Sequence, residues 1–155
     1  MLGRVDIVLL GRVLVMLAAI NVGLALVKVN QLVRWLTPAS MPPAHDLAGV
    51  VVVVRHVDGV LRRLPTLPHG RCLVRSLILY YFCTRLGYPV QISFGICRRR
   101  DGVDGHGWLV LDDRPFMEPG RPEKTFLPVW RLPNSPGSDF ANEGDSLAPP
   151  VFFAR

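Results

Sequence analysis

The chain has 155 residues, a net charge of +6 from 18 Lys and Arg against 12 Asp and Glu, half its residues apolar and a mean hydropathy of +0.31. That length holds one core, and so apolar a composition points to a buried or membrane-touching helix. The clusters Arg62-Arg63 and Arg98-Arg99-Arg100 lack the interleaved aromatics of a single-strand binder, so an acidic peptide or an anionic membrane surface is the expected partner rather than nucleic acid.

Residues 1–37 read as an apolar N-terminal helix, periodic from Asp6 to about Leu36 and most apolar from Val13 to Val27, with Asn21 and Gly23 as interruptions. No small-residue cleavage site follows, Lys28 and Arg34 come next and the helical pattern continues, so a signal peptide is not indicated. An apolar stretch of this length falls short of the roughly 20 residues a spanning helix needs. The helix is expected to pack on the domain through Leu14, Leu17, Ile20, Leu24 and Val27, with contact to a membrane surface as the alternative. Thr37-Pro38 through Pro42-Pro43 makes a linker.

From Asp46, a good cap, to Leu64 the β-branched run Val50–Val54 favours strand locally. The helical spacing of Leu47, Val50, Val54, Val57, Val60, Leu61 and Leu64 overrides it, and a helix is predicted. Pro65 and Pro68 end it, and His69-Gly70-Arg71 leads into a helix that starts at Cys72, runs to Leu86 and stops at Gly87 as a glycine cap. The period then changes: strands are predicted at Val90–Arg98, Gly105–Leu111 and Arg114–Glu118. The fold class is α+β, with N-terminal helices followed by a small antiparallel sheet over a core at 47–119. Residues 120–155 read as a Pro-rich C-terminal arm.

Chemistry concentrates on Cys72 and, 34 residues later, His106 at the start of a strand. A helix N-terminus and a nearby imidazolium both favour thiolate over thiol, and the free N–H groups there can cradle an oxyanion. A thiol at a helix start with a histidine on a later strand is therefore the plan of a papain- or transglutaminase-type nucleophile. If the second and third strands pair across a turn at Asp112-Asp113, Glu118 falls opposite or one step diagonal from His106, whereas Asp112 lies about 20 Å along the strand. Glu118 can then orient the imidazole, with Asp104 a weaker candidate. His45, His56 and His69 have no ligand spacing and are read as surface or structural, His69 shaping the loop before Cys72. Three cysteines without a C-x-x-C pair indicate reduced thiols in the cytoplasm and neither metal nor other cofactor, with Cys83 and Cys97 read as buried small hydrophobes.

The run Cys72-Leu73-Val74-Arg75-Ser76-Leu77, then Gly87-Tyr88-Pro89-Val90, Phe94-Gly95-Ile96 and Asp104-Gly105-His106-Gly107-Trp108 to Glu118, closely resembles the transglutaminase-like proteases of lasso-peptide maturation, the B proteins of those gene clusters. The resemblance spans about Leu47 to Pro119 and implies Cys72 as nucleophile, His106 as base and Glu118 as third member. That family more often has aspartate at the Glu118 position and alanine at that of Gly107. The implied activity is a leader peptidase, a cysteine protease that cuts the leader from a ribosomally made precursor. Its implied partners are the precursor leader peptide, a separate leader-recognition protein and a lasso cyclase, so that the chain looks like the protease half of a split system. Another acyl-transfer enzyme on the same scaffold, an amidase or transglutaminase, and a non-catalytic membrane-associated scaffold are the alternatives.

Overall fold

A computed structural model of the protein describes residues 4–64, 66–100 and 102–133. Four helices precede four strands: α1 Arg4–Leu26, α2 Val29–Leu36, α3 Leu47–Arg63, α4 Arg71–Arg85, β1 Gln91–Arg99, β2 Gly102–Leu111, β3 Arg114–Pro115 and β4 Leu127–Leu132, with a short 3-10 turn at Pro122–Lys124. The sheet is antiparallel, ordered β3-β2-β1-β4. Its helix side, with Ile92, Phe94 and Leu109, joins Val74, Leu77 and Ile78 of α4 in one core.

The predicted single N-terminal helix is two. Val27 and Lys28 break it, Lys28 taking extended dihedrals, and α2 folds back so that Leu32 lies against Gly23. A Cβ at position 23 would stand 2.8 Å from Leu32 Cδ1, so glycine there permits the close approach. Asn21 fits within the apolar helix by donating Nδ2–H to the Leu17 carbonyl at 2.8 Å. The buried line of α1 is Val13 and Ile20, with Leu17 and Leu24, and Val27 just beyond the helix, partly covered, whereas Leu14, expected inside, is 48% exposed. The expected register was displaced because the helix is apolar nearly all round, which leaves no polar face to mark the outside.

α3 begins as predicted, its N-cap Asp46 accepting from the Gly49 N–H at 2.7 Å, and it buries Val50, Val53, Val57 and Leu61. The valines pack as helix because the face they form is covered by α1 and α4. α4 ends on Gly87 with φ +88°, where Tyr88 N–H reaches the Cys83 carbonyl at 2.9 Å and Gly87 N–H that of Thr84 at 3.2 Å. The linker backbone at Pro42–Ala44 presses on Gly87 so closely that a Cβ would lie 2.5 Å from the Pro42 carbonyl oxygen.

The β1–β2 hairpin is longer than predicted, with its ladder reaching Arg99↔Gly102. Asp112 and Asp113 make the next turn, both at positive φ (49° and 61°), the conformation a two-residue hairpin turn requires. β4 lies within the segment expected to be an extended arm, and it pairs with β1 from Ile92↔Leu132 to Ile96↔Leu127. Prolines at 122, 128 and 133 hid this strand; an edge position tolerates them because one side of its backbone needs no ladder partner. The remainder of the expected arm, residues 134–155, lies outside the described residues.

Candidate active site

Cys72 is the second residue of α4, after Gly70 at φ +80°, so it sits among first-turn N–H groups that have no carbonyl to bond within the helix. Its side chain is half-buried. One turn later, on the same α4 face, Ser76 donates its hydroxyl to the Gly107 carbonyl at 3.0 Å. α4 turns back through Gly87 into β1, so its N-terminus points toward the start of β2. Four helical residues advance about 6 Å and one strand residue about 3.3 Å, which sets Cys72 level with Gly105–His106.

β3 covers β2 only at Val110 and Leu111, leaving the edge beside His106 and Gly107 to α4 and the Met117–Glu118 turn. Along β2 the side chains alternate. Gly107 faces Phe94 and Ser76, whereas His106 shares its face with Trp108 and Phe126, ring centroids 6.0 and 5.0 Å away in near-parallel stacking. Gly95, opposite His106 in the ladder, is what lets Trp108 lie flat there, since a Cβ would meet its ring at 2.6 Å. Burial holds the imidazole below its ordinary range, the nearby Arg75 charge adds to this, and Asp104 opposes it. A ring so placed is neutral at pH 7 and free to take a proton.

Glu118 is reached through Met117, which takes φ +54° and turns the chain out of the β3 ladder. Its carboxylate therefore does not continue the hairpin register toward His106 but accepts from the Leu109 N–H at 3.4 Å and from Arg75 Nη1 at 2.8 Å. Burial, with the side chain only 6% exposed, pushes the carboxyl up, and Arg75 and the Leu109 N–H pull it back. His106 and Glu118 line one open cavity of about 250 Å³ with Pro119, Gly120, Arg121, Pro122, Thr125 and Phe126; Cys72 is not among its lining residues. Among the described residues no hydrogen bond joins Cys72 to His106 or the imidazole to Glu118. Asp104, two residues before His106, is instead paired with Arg99 at 3.1 Å in the open.

The residue that sequence reasoning missed is Arg75, three positions after Cys72. Besides Glu118 it holds Asp58 of α3, Nε to Oδ1 at 2.7 Å, and donates Nη2–H to the Met117 carbonyl at 3.0 Å. One guanidinium thus ties the thiol helix, α3 and the Glu118 turn together. The other sequence candidates stand apart: His45 bonds the Pro43 carbonyl, His56 that of Val52, and His69 lies half-buried in the turn before α4. Cys83 is buried within α4, and burial pushes its thiol up to about 12. Cys97 is half-buried on β1 rather than enclosed. No three His, Cys, Asp or Glu among the described residues could hold a metal ion.

A thiol-bearing helix packed on an antiparallel sheet whose second strand carries histidine is the α+β core that papain- and transglutaminase-type proteins share. The chain belongs to the transglutaminase-like superfamily, whose family model matches residues 13–131, from within α1 into β4. The match extends beyond the 47–119 region that the motifs span, into α1 at one end and β4 at the other. Members of this superfamily generally carry Cys-His-Asp cysteine-protease or acyltransferase activity. No curated protein and no solved structure matches the chain.

Proposed function

We propose that this protein is the leader peptidase of a lasso-peptide system. The observation that supports the reading is a family match over residues 13–131 in a chain that carries Cys72 at the start of α4 and His106 on β2, with motif blocks that follow one another in the order of that family. Cys72 Sγ attacks the carbonyl of the peptide bond between leader and core as His106 takes the thiol proton. The oxyanion is met by first-turn N–H groups of α4, including that of Cys72. His106 returns the proton to the departing core amine, and water, deprotonated by the same imidazole, releases the leader from the acyl-enzyme. Glu118 acts on the imidazole from across the shared cavity, with aspartate's usual place taken by a side chain one methylene longer.

By the resemblance of the motif blocks to the split lasso-peptide systems, we assign leader capture to a separate recognition protein and the freed core to a cyclase. The test combines the full chain, a precursor peptide and its leader-binding protein. Cleavage at the leader–core junction that disappears in Cys72→Ala supports the reading. Cleavage that survives it, or Cys72-dependent transfer of a glutamine acyl group to an added amine without hydrolysis, overturns it, the latter in favour of a transglutaminase.

A further inference from the structure

The outward face of α1 stays uncovered by the rest of the described protein. Ile7–Leu26, 20 residues of mean hydropathy 2.3, is by length and composition enough to cross a membrane, longer than the apolar stretch read from the sequence, yet only 11% of the residues along it are buried. Val13 and Ile20 anchor the helix to α3 and α4, while Ile7, Val8, Leu14, Val15, Val22 and Leu26 are 48–76% exposed, with Gly11, Ala18, Ala19 and Ala25 between them. The strip is about 30 Å long at 1.5 Å per residue, far beyond the scattered apolar side chains of an ordinary surface.

Its borders are basic. Arg12 is exposed on the flank that holds Val8, Val15 and Ala19 in the i±3 and i±4 rows. On the other flank, Leu10 and Leu14 meet α3 in an apolar groove of about 570 Å³ whose remaining wall includes Arg55, His56 and Arg63. An apolar strip with Arg12 on one flank and Arg55 and Arg63 on the other matches the depth profile of a bilayer interface, with acyl chains below and anionic headgroups at the rim. Protein interfaces are centred on aromatic, Met and Arg anchors; this strip is aliphatic along its whole midline and carries none.

We propose that α1 lies in the plane of an anionic membrane, its exposed face sunk to the headgroup–acyl boundary and its opposite face still packed on α3 and α4. Crossing the bilayer would require Val13 and Ile20 to leave the core, so the helix docks the domain on the surface without spanning. Long Arg12, Arg55 and Arg63 side chains can reach the phosphates from there.

The full chain is floated with vesicles of phosphatidylcholine containing phosphatidylglycerol and with vesicles of phosphatidylcholine alone. Flotation with the anionic vesicles, weakened by salt and reversed by an alkaline carbonate wash, is expected. The double variant Val15→Glu/Val22→Glu changes exposed positions only; it should keep its circular dichroism and lose about tenfold or more in vesicle partition. Arg12→Glu, which leaves the apolar strip whole, should cut binding to the anionic vesicles and leave that to neutral ones unchanged. Three results overturn the proposal: no flotation of the wild type with anionic vesicles, retention through the carbonate wash, which means a span, and a wild-type dimer in light scattering that the double variant converts to monomer, which means a second copy covers the face. Because leader cleavage in solution is not measured, failure here leaves the peptidase reading standing.

Discussion

Replacing Arg75 with Gln should cost the protein more stability than any other single polar substitution around the site, and the cost should depend on pH. The guanidinium is 14% exposed, and its loss leaves Glu118, 6% exposed, with the Leu109 N–H as its remaining partner. Breaking one side of a buried pair typically costs about 3–5 kcal/mol. The carboxyl has an escape: protonating a glutamate of ordinary pKa about 4.3 at pH 7 costs about 3.7 kcal/mol, which caps the penalty near that figure. Asp58, about a third exposed, adds little. A loss of about 3–4 kcal/mol lowers the Tm of a chain of this size by about 10 °C.

The pH dependence follows from Glu118. Its carboxyl is already pushed up by burial, against the pull of Arg75. Without that cation it rises further, so the folded variant takes up a proton at a pH where the folded wild type is still ionised. The deficit is therefore small near pH 4, where Glu118 is protonated in both folded forms, and grows to its full value toward pH 7. Urea unfolding followed by circular dichroism at several pH values across that range reads it directly. Arg75→Lys should recover only part, because an ammonium cannot span both carboxylates as the fork does. An unchanged midpoint, or the same deficit at pH 4 as at pH 7, refutes the reasoning.

In the cleavage assay Cys72→Ala and His106→Ala should each abolish turnover with the far-ultraviolet spectrum preserved, whereas Glu118→Gln should leave a measurable fraction of kcat. Arg75→Gln should also shift the acid limb of kcat/KM to higher pH, since the cation that depresses His106 is gone; an unmoved limb disproves the coupling. Gly95→Ala should lose about 1–3 kcal/mol by driving a methyl into Trp108 and Phe126. Gly107→Ala places a methyl 3.5 Å from Phe94 and 3.8 Å from Ser76 and should be neutral or gain about 0.5 kcal/mol in unfolding measurements. Ile20→Ala should cost about 2–5 kcal/mol, while Val15→Ala, 68% exposed, should change unfolding by less than about 0.5 kcal/mol.

Elements bounded by local chemistry were legible without the structure. Asp46 caps α3, Gly87 closes α4 and Asp112-Asp113 turns β2 into β3, each through interactions spanning at most a few residues. Elements defined by distant partners were not. β4 is a strand because β1 offers an edge some 35 residues earlier in the chain, and its prolines argue against it locally. The orientation of α1 was illegible for the complementary reason: where every face is apolar, periodicity carries no information about which side is covered.

At the site the same division separates residue types from their connections. Cys72 and His106 announce themselves because a thiol at a helix start and a histidine on a strand are each marked by the element that bears them. Arg75 carries no such mark; four residues after Arg71 and ten before Arg85, it differs from both only in what it reaches, Asp58 17 residues back and Glu118 43 ahead. Hairpin counting, assuming an unbroken ladder, aimed the Glu118 carboxylate at His106. The positive φ of Met117 and the pull of Arg75 redirect it to the β2 edge at Leu109. A glutamate is long enough to hold both of those bonds at the rim of the cavity that His106 lines, and an aspartate, one methylene shorter, would have to release Arg75 or the Leu109 N–H to occupy the same backbone position. The departure from the family's usual aspartate and the arginine clamp thus form a single arrangement: the longer acid serves the clamp, and the clamp pulls the carboxyl back down against the burial that pushes it up.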